Sequence, residues 1–320
     1  MRGGESGREM LLDVRGLTVS FSGCARPVLD RVDLALAGGR LTIVGESGAG
    51  KSTLLRVLFG ELRGWSGSVR VCGIEVGGSL GAGRLARRQL GVILQEPRAS
   101  LHPGRSVVES VAEPMVVLGG SSWVEARRRG GALLEAMGVS PGRFGARPGE
   151  LSGGECQRAA IARAVCRPVG LLLADEATAN LDPELGVEVV RLVKGWTDGG
   201  DERGGGVGGG KPGLVWVTHR LQEAEVLGGK VVVLYGGRVV EVFEGFTGWG
   251  GALHPYTRRL VLASGQSLAA GGGCCGVDGE VAPGFDSAFG DESRGVGKGE
   301  LVQCGEGHWV AGGTIRGPAH

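Results

Sequence analysis

Gly45-Glu46-Ser47-Gly48-Ala49-Gly50-Lys51-Ser52, GESGAGKS over residues 45–52, is the stretch on which the reading of this chain turns. Upstream, LTVSF and VLDRVDLALAGGRLTIVG alternate in polarity and then turn continuously apolar, the pattern of strands leading into a central buried strand that ends at Val44. Downstream, STLLRVLFGEL carries apolar residues at helical spacing, so the order is strand, glycine-rich loop, helix. In that setting Gly45, Gly48 and Gly50 let backbone N–H groups, those of Glu46, Ser47 and Ala49 among them, wrap phosphates at a helix N-terminus. The Lys51 ammonium would neutralise β- and γ-phosphate charge, and the Ser52 hydroxyl would hold magnesium.

Composition sets the background for that motif. Of 320 residues 66 are glycine, far above the usual ~7%, so glycine-based motifs arise cheaply here and the loop needs independent partners. Basic and acidic residues nearly cancel, 35 against 34, which leaves no global field toward nucleic acid or an anionic membrane. No apolar run reaches the roughly 18 to 20 residues that cross a bilayer, and the opening MRGGESGREMLLDV lacks the apolar stretch of a signal peptide, so a cytosolic chain is expected. Seven cysteines, an odd and mostly scattered set, do not form a secreted disulfide framework.

Further along, GSVRVCGIEV reads as two short strands about a glycine turn. From about residue 98 to 150, SVVESVAEPMVVL and SWVEARRRGGALLEAMG are helical patterns broken by Pro and Gly, which suggests a small inserted helical subdomain. VGLLLAD, GLVWVTH and KVVVLYGG return to the apolar, β-branched runs of buried parallel strands and their edge. Between two of these, TDGGDERGGGVGGGKPG reads as a surface loop, and after about Ser264 the periodicity fades into a Gly-rich tail.

The partners of the phosphate loop lie far downstream. VGLLLADE places Asp175 and Glu176 at the end of a buried strand, where one carboxylate can hold magnesium through water and the next can polarise an attacking water. A solvated turn would present the same pair. His219, after GLVWVT, also ends a strand, within reach of a γ-phosphate or in a purely structural role. In LSGGECQRAAIARAV, Ser152, Gly153 and Gly154 precede an amphipathic helix, which makes a second anion site or an ordinary N-cap. Two separated phosphate sites for one nucleotide suggest that two chains share two nucleotides.

With these residues together, the sequence resembles an ABC-type ATPase over roughly residues 10 to 262. GESGAGKS resembles that family's Walker A, Gln95 its Q-loop glutamine, LSGGECQR its signature, LLLADE its Walker B, ANLD its D-loop, and His219 its switch histidine. The resemblance implies an α/β P-loop NTPase fold: a RecA-like parallel-sheet core, an N-terminal antiparallel β subdomain and a helical subdomain inserted at about 96–155. It implies ATP and magnesium as cofactors, with Lys51, Ser52 and Thr53 on the phosphates and metal, Gln95 sensing both metal and transmembrane partner, and Asp175 supporting the metal. Glu176 resembles the general base and His219 the residue holding the γ-phosphate and attacking water. Ser152 to Glu155 would close over the nucleotide of the opposite subunit, and Asp182 would communicate across that interface. Phe21 matches the adenine-stacking aromatic, with core packing in a strand as the other reading. Ala177 replaces the usual proline, and Asn180 occupies a small-residue slot.

QEPRASLHPGRSVVESVAEP and HPYTRRL, residues 254 to 260, are similar to segments of the ATPases that serve peptide and nickel importers. This narrower resemblance implies transmembrane permease subunits, a second ATPase subunit identical or paralogous, an extracellular binding protein acting indirectly, and a peripheral place on the cytoplasmic face of the membrane. The chain would divide into a nucleotide-binding domain over 1–262 and a degenerate extension over 263–320. ELVQCGEGHWVAGG resembles the end of an extension that often carries an iron-sulfur cluster, yet only Cys274, Cys275 and Cys304 stand there, where four thiolates are usual, and no cluster is expected. The alternatives are the ATPase-like component of a soluble complex such as carbon-phosphorus lyase, and a subunit that keeps the fold but hydrolyses little.

Overall fold

The computed structural model describes residues 10–77, 80–199, 211–266, 301–305 and 307–311, folded about two sheets. The first is antiparallel, in the order β2-β1-β4-β5, and is built from β1 (Leu12–Val19), β2 (Leu29–Leu36), β4 (Ser66–Val71) and β5 (Ile74–Glu75). Its alternation does what the sequence predicts. In β2, Leu29, Val32, Leu34 and Leu36 point into the core and the residues between them face outward.

The second sheet has eight strands, β11-β12-β10-β9-β3-β8-β7-β6. β3 (Arg40–Val44), β6 (Leu90–Ile93), β7 (Leu171–Asp175), β8 (Gly213–Thr218) and β9 (Lys230–Tyr235) form its parallel part, with β3 paired on both sides, to β8 and β9. Every residue of β8 is buried, which is why these strands read as unbroken apolar runs. β10 (Arg238–Phe243) turns back antiparallel to β9. On one face, α1 (Lys51–Leu58) and the antiparallel sheet share a core with Leu41, Ile43, Val215 and Val217. On the other, Leu172, Leu214 and Trp216 pack with α6 (Gly153–Val165) and α7 (Pro183–Thr197).

A helical layer lies between β6 and β7 in the chain: α3 (Pro97–Ser100), α4 (Val107–Val117), α5 (Trp123–Ala136) and α6, following α2 (Leu80–Arg88). The expected breaks at Pro114 and Gly130-Gly131 are not breaks. α4 runs through Pro114, and the Ser110 carbonyl four residues back, which proline leaves without an N–H, accepts from Arg163 Nη1 on α6. Gly130 is buried where α5 packs on α4, and a Cβ there would make only ordinary contact with the Val108 carbonyl oxygen, at 3.4 Å. Ser106 and Glu109 close a capping box at the start of α4.

α8 (Leu221–Leu227), between β8 and β9, and α9 (Pro255–Ala263), beyond β10, bury Phe243, Phe246, Trp249 and Tyr256 in a third cluster with Val44 and Val231. Residues assigned by sequence to the C-terminal extension add two strands to the main sheet. β11 (Leu301–Gly305) and β12 (His308–Ala311) pair with each other, and β12 pairs with β10 at Glu241–Val310, Val242–Trp309 and Phe243–His308. Most of the glycine-rich loop between α7 and β8, and Cys274 and Cys275, lie outside the described residues.

Ile161 of α6, fully buried in the core shared by the helical layer and the sheet, tests that shared packing. Ile161→Ala is expected to lower stability by about 2–5 kcal/mol, read as a lower denaturant midpoint with an unchanged slope. A loss of under about 1 kcal/mol would mean that α6 does not depend on this core.

Candidate functional site

The loop from Gly45 to Gly50 is held by its neighbours on several sides. A Cβ on Gly45 would lie 2.3 Å from the Leu234 carbonyl oxygen of β9, and one on Gly50 would lie 2.7 Å from Leu29 Cδ2 and 2.8 Å from the Val28 carbonyl. Only glycine fits at either place. Gly48 and Gly50 also adopt left-handed backbone, at φ +83° and +99°. The Gly237 amide donates to the Ala49 carbonyl (3.2 Å), and the Glu46 amide donates to the Tyr256 phenol oxygen (2.9 Å). No side chain caps α1, so its first amides present the positive end of the helix dipole to the loop's interior, as an anion requires.

Lys51 opens α1 and is buried. Its Nζ donates to the carbonyls of Gly45 (2.7 Å) and Glu46 (2.8 Å) and lies 3.6 Å from Glu176 Oε1. Burial holds its ammonium below the usual lysine range, against the pull of the Glu176 carboxylate. Ser52 Oγ donates to Asp175 Oδ1 at 3.3 Å. Burial raises the Asp175 carboxyl above its ordinary value; the Ser52 bond opposes that shift and the Glu176 charge adds to it. A hydroxyl beside a partly desolvated carboxylate is an oxygen donor set that suits a hard divalent cation, so the residues present fit magnesium.

Glu176 follows β7 with φ +43°, a conformation that L side chains rarely adopt and one that concentrates at functional sites. Its amide donates to the Val217 carbonyl (3.0 Å), and its carboxylate sits between the Lys51 ammonium and the His219 ring, with Oε2 3.2 Å from His219 Nδ1. The side chain is mostly enclosed, at 17% exposure, whereas His219 is 48% exposed and open to a ligand. Lys51, Ser52, Asp175, Glu176 and His219 thus meet where the adjacent parallel strands β3, β7 and β8 end, the edge at which open α/β sheets present ligand sites.

Two other expected residues make no hydrogen bond or ion pair to this centre among the described residues. Gln95 follows β6, and its carbonyl accepts from Asn180 Nδ2 at 3.3 Å, as does Glu96 Oε1. Asp182 caps α7, its Oδ1 accepting from the Leu185 amide at 2.9 Å. Phe21 lies past the end of β1, 37% exposed in a turn, so it is neither in a strand nor a core residue.

The Ser152 turn belongs to the helical layer. Ser152 Oγ accepts from the Glu155 amide (3.2 Å), and Glu155 Oε2 accepts from the Ser152 amide (2.8 Å). Arg143 Nε donates to Glu155 Oε1 at 3.2 Å. The Ser152 amide and Arg143 keep the Glu155 carboxyl below the usual range. Among the described residues no hydrogen bond or ion pair joins residues 152–155 to the phosphate loop of the same chain.

Sequence reasoning passed over the residues that fix the segment from Glu176 to Asp182. Arg220 Nη2 donates to the carbonyls of Ala179 (3.2 Å) and Leu181 (2.9 Å). The buried Glu223 carboxylate accepts from Thr178 Oγ1 and from Trp216 Nε1 (2.8 Å). The available signal was their place, one and four residues beyond His219, which puts both at the start of a helix leaving the site.

Comparison with known proteins agrees with this geometry. The sequence model of the ABC transporter family matches residues 29–179. The oligopeptide transport ATP-binding protein OppF of Escherichia coli is 32% identical over 271 residues, covering 80% of this chain and 78% of that protein. The di/tripeptide transport ATP-binding protein DppF of Pseudomonas aeruginosa is 33% identical over 229 residues, covering 71% of this chain and 68% of that one. Among solved structures, the ATP-binding cassette MJ0796, a dimer in a post-hydrolysis state bound to ADP and Pi, superposes with a TM-score of 0.64 at 26% identity, covering 73% of this chain and 99% of the other. A strand-loop-helix built for phosphates, the paired acids and histidine that meet it, and these relatives lead to one conclusion: the chain belongs to the ABC transporter family, as one of its ATP-binding, ATP-hydrolysing proteins.

Proposed function

We propose that this chain powers an importer of peptides, working as one of two ATPase subunits against transmembrane permeases on the cytoplasmic face of the membrane. The observation that carries the proposal is the Glu176 carboxylate held between Lys51 and His219, one residue beyond the Asp175–Ser52 pair. The amides of residues 45 to 53, other than those of Glu46 and Ala49, which donate to the Tyr256 phenol and the Glu46 carbonyl, and the Lys51 ammonium bind the nucleotide phosphates, with Phe21 exposed to stack on the adenine. Glu176 takes a proton from the attacking water, and His219 Nδ1, 3.2 Å away, orients that carboxylate and faces the γ-phosphate. Ser52, Asp175 and Gln95 would hold magnesium, which supplies charge neutralisation at the phosphates. Displacing the Lys51–Glu176 contact is then part of loading the nucleotide.

The second anion site supports the dimeric half of this reading. Ser152, Gly153 and Gly154 start α6 in the helical layer, and in their own chain they bond within the cap and to Arg143. Their free role is to close over the phosphates of a partner subunit's nucleotide, with Asp182 at the same interface. MJ0796, the solved relative, is itself dimeric. No helix among the described residues is long and apolar enough to cross a membrane, so the permeases are separate chains in this proposal. Peptide as cargo rests on the relatives named above, which give no support to nickel.

Glu176→Gln is expected to keep ATP binding, to lower the hydrolysis rate at least about 10²-fold, and to accumulate a closed ATP-bound dimer by light scattering. Wild-type turnover in that variant would remove Glu176 from its assigned role. Asp175→Asn separates metal holding from stability. Because folding raises the Asp175 carboxyl above its unfolded value, the wild type loses stability as pH rises through the carboxylate range, and asparagine escapes that loss. In chelator, without nucleotide, the variant should match the wild type below about pH 4 and melt at a higher temperature near neutrality. Its magnesium-dependent hydrolysis should be lost. An equal or lower melting temperature at neutral pH would contradict the burial argument.

A further inference from the structure

HPYTRRL marks a resemblance in the sequence, but its residues take no part in the chemistry described above. In the fold they form the middle of a hydrogen-bonded chain running from the C-terminal hairpin to the phosphate loop. His308 Nε2 on β12 is 2.8 Å from Glu241 Oε1 of β10. Glu241 is fully buried and accepts from the amides of Leu253 (2.8 Å, Oε1) and His254 (3.3 Å, Oε2). His254 Nδ1 caps α9 by accepting from the Tyr256 amide at 3.2 Å. The Tyr256 hydroxyl accepts from the Glu46 amide, inside the loop itself, at 2.9 Å.

Two features give this chain directional stiffness. Glu241, His254 and Tyr256 are 0%, 4% and 3% exposed, so no water stands ready to replace a lost partner, and each broken bond leaves a buried polar group unsatisfied. The aromatic rings along it are packed: Tyr256 lies 4.2 Å from Tyr235 between ring centroids, and His308 stacks on Phe243 at 4.4 Å. Burial also pushes the Tyr256 phenol up to about 12, which keeps its hydroxyl protonated at any working pH.

We infer that Tyr256 is a positioning residue for the phosphate loop, and that the C-terminal hairpin, through His308 and Glu241, sets its position and hence the affinity for nucleotide. The inference rests on the reading of residues 45–52 as the nucleotide site. It gives the extension a role in the ATPase itself: seating of β12 against β10 is communicated to the loop through Glu241, His254 and Tyr256. A change at the hairpin, such as its release from the sheet edge, would loosen the Glu46 end of the loop and weaken the hold on the phosphates.

The test uses the full chain and magnesium-ADP, measured by calorimetry, with ATPase kinetics and thermal melting alongside. Tyr256→Phe keeps the ring and removes only the acceptor; the expected result is a loss of affinity of about three- to tenfold, the scale of one hydrogen bond. KM for ATP should rise with it while kcat stays within about twofold, a split that general destabilisation would not produce. His308→Phe keeps the stack on Phe243 and loses the bond to Glu241, and should move affinity in the same direction. In the double variant the loss should be clearly smaller than the product of the two single losses, because both act through one chain of contacts. Unchanged affinity in Tyr256→Phe, unchanged affinity in His308→Phe, or fully multiplicative losses would each overturn the inference. Failure of the wild-type chain to bind magnesium-ADP would instead overturn the assignment of the site on which the inference stands.

Discussion

The structure depends on one close approach, that of Gly45 to β9. With the Leu234 carbonyl oxygen only 2.3 Å from where a Cβ would stand, the backbone leaving β3 must hug its neighbour before turning into the loop. That is possible because β3 is paired on both sides and buried, so the strand cannot shift away. From there the loop's path is settled by contacts on its far side, where Gly50 passes Val28 and Leu29 and the Ala49 carbonyl receives the Gly237 amide. A rigid backbone of this kind holds phosphates without reorganising when they arrive.

Around that loop the charges are arranged in tension. Lys51 is buried beside two carbonyls and a carboxylate, Asp175 is raised by burial, and Glu176 holds a left-handed backbone at a strand end. Each of these costs stability, and negative phosphates beside Lys51 and a divalent cation beside Asp175 would offset the first two. Strain and desolvation of this kind are kept where binding offsets them. The surrounding packing over-determines the arrangement, with Arg220 and Glu223 gripping the backbone and hydroxyl of residues 178 to 181.

The helical layer and the C-terminal hairpin attach to this core by different means. α4, α5 and α6 share one apolar core with the sheet, and Arg163 supplies the donor that Pro114 lacks, so a helix that looks interrupted in sequence stays continuous. The hairpin is joined by strand pairing, by the packing of Leu301 and Trp309 and by one buried carboxyl group, that of Glu241, whose two oxygens serve three partners. Few partners on a fully buried polar side chain make that junction sensitive to the loss of any one of them.

Much of the fold was legible in the residues themselves. Period-two alternation in VDLAL, the apolar run of LLLAD and the strand-glycine-helix order at residues 40 to 58 are local patterns, each tied to which face a side chain must bury, so β2, β7, β3 and α1 could be read directly. The phosphate loop, the acids at 175 and 176 and His219 were legible for the same reason: each stands at the end of a strand that announces itself. Phe21 was placed in a strand because nothing local marks the end of β1, and Pro114 was read as a break because its compensating donor lies 49 positions away in the chain, in α6. Only the tertiary structure could bring Glu176 between Lys51 and His219, set Arg220 and Glu223 against residues 178 to 181, or join His308 to Glu46 through Glu241 and Tyr256. Those partners are far apart along the chain and follow no period. They meet because the order of strands in the sheet places the ends of β3, β7 and β8 side by side, and that order is a property of the packed molecule, not of any one segment.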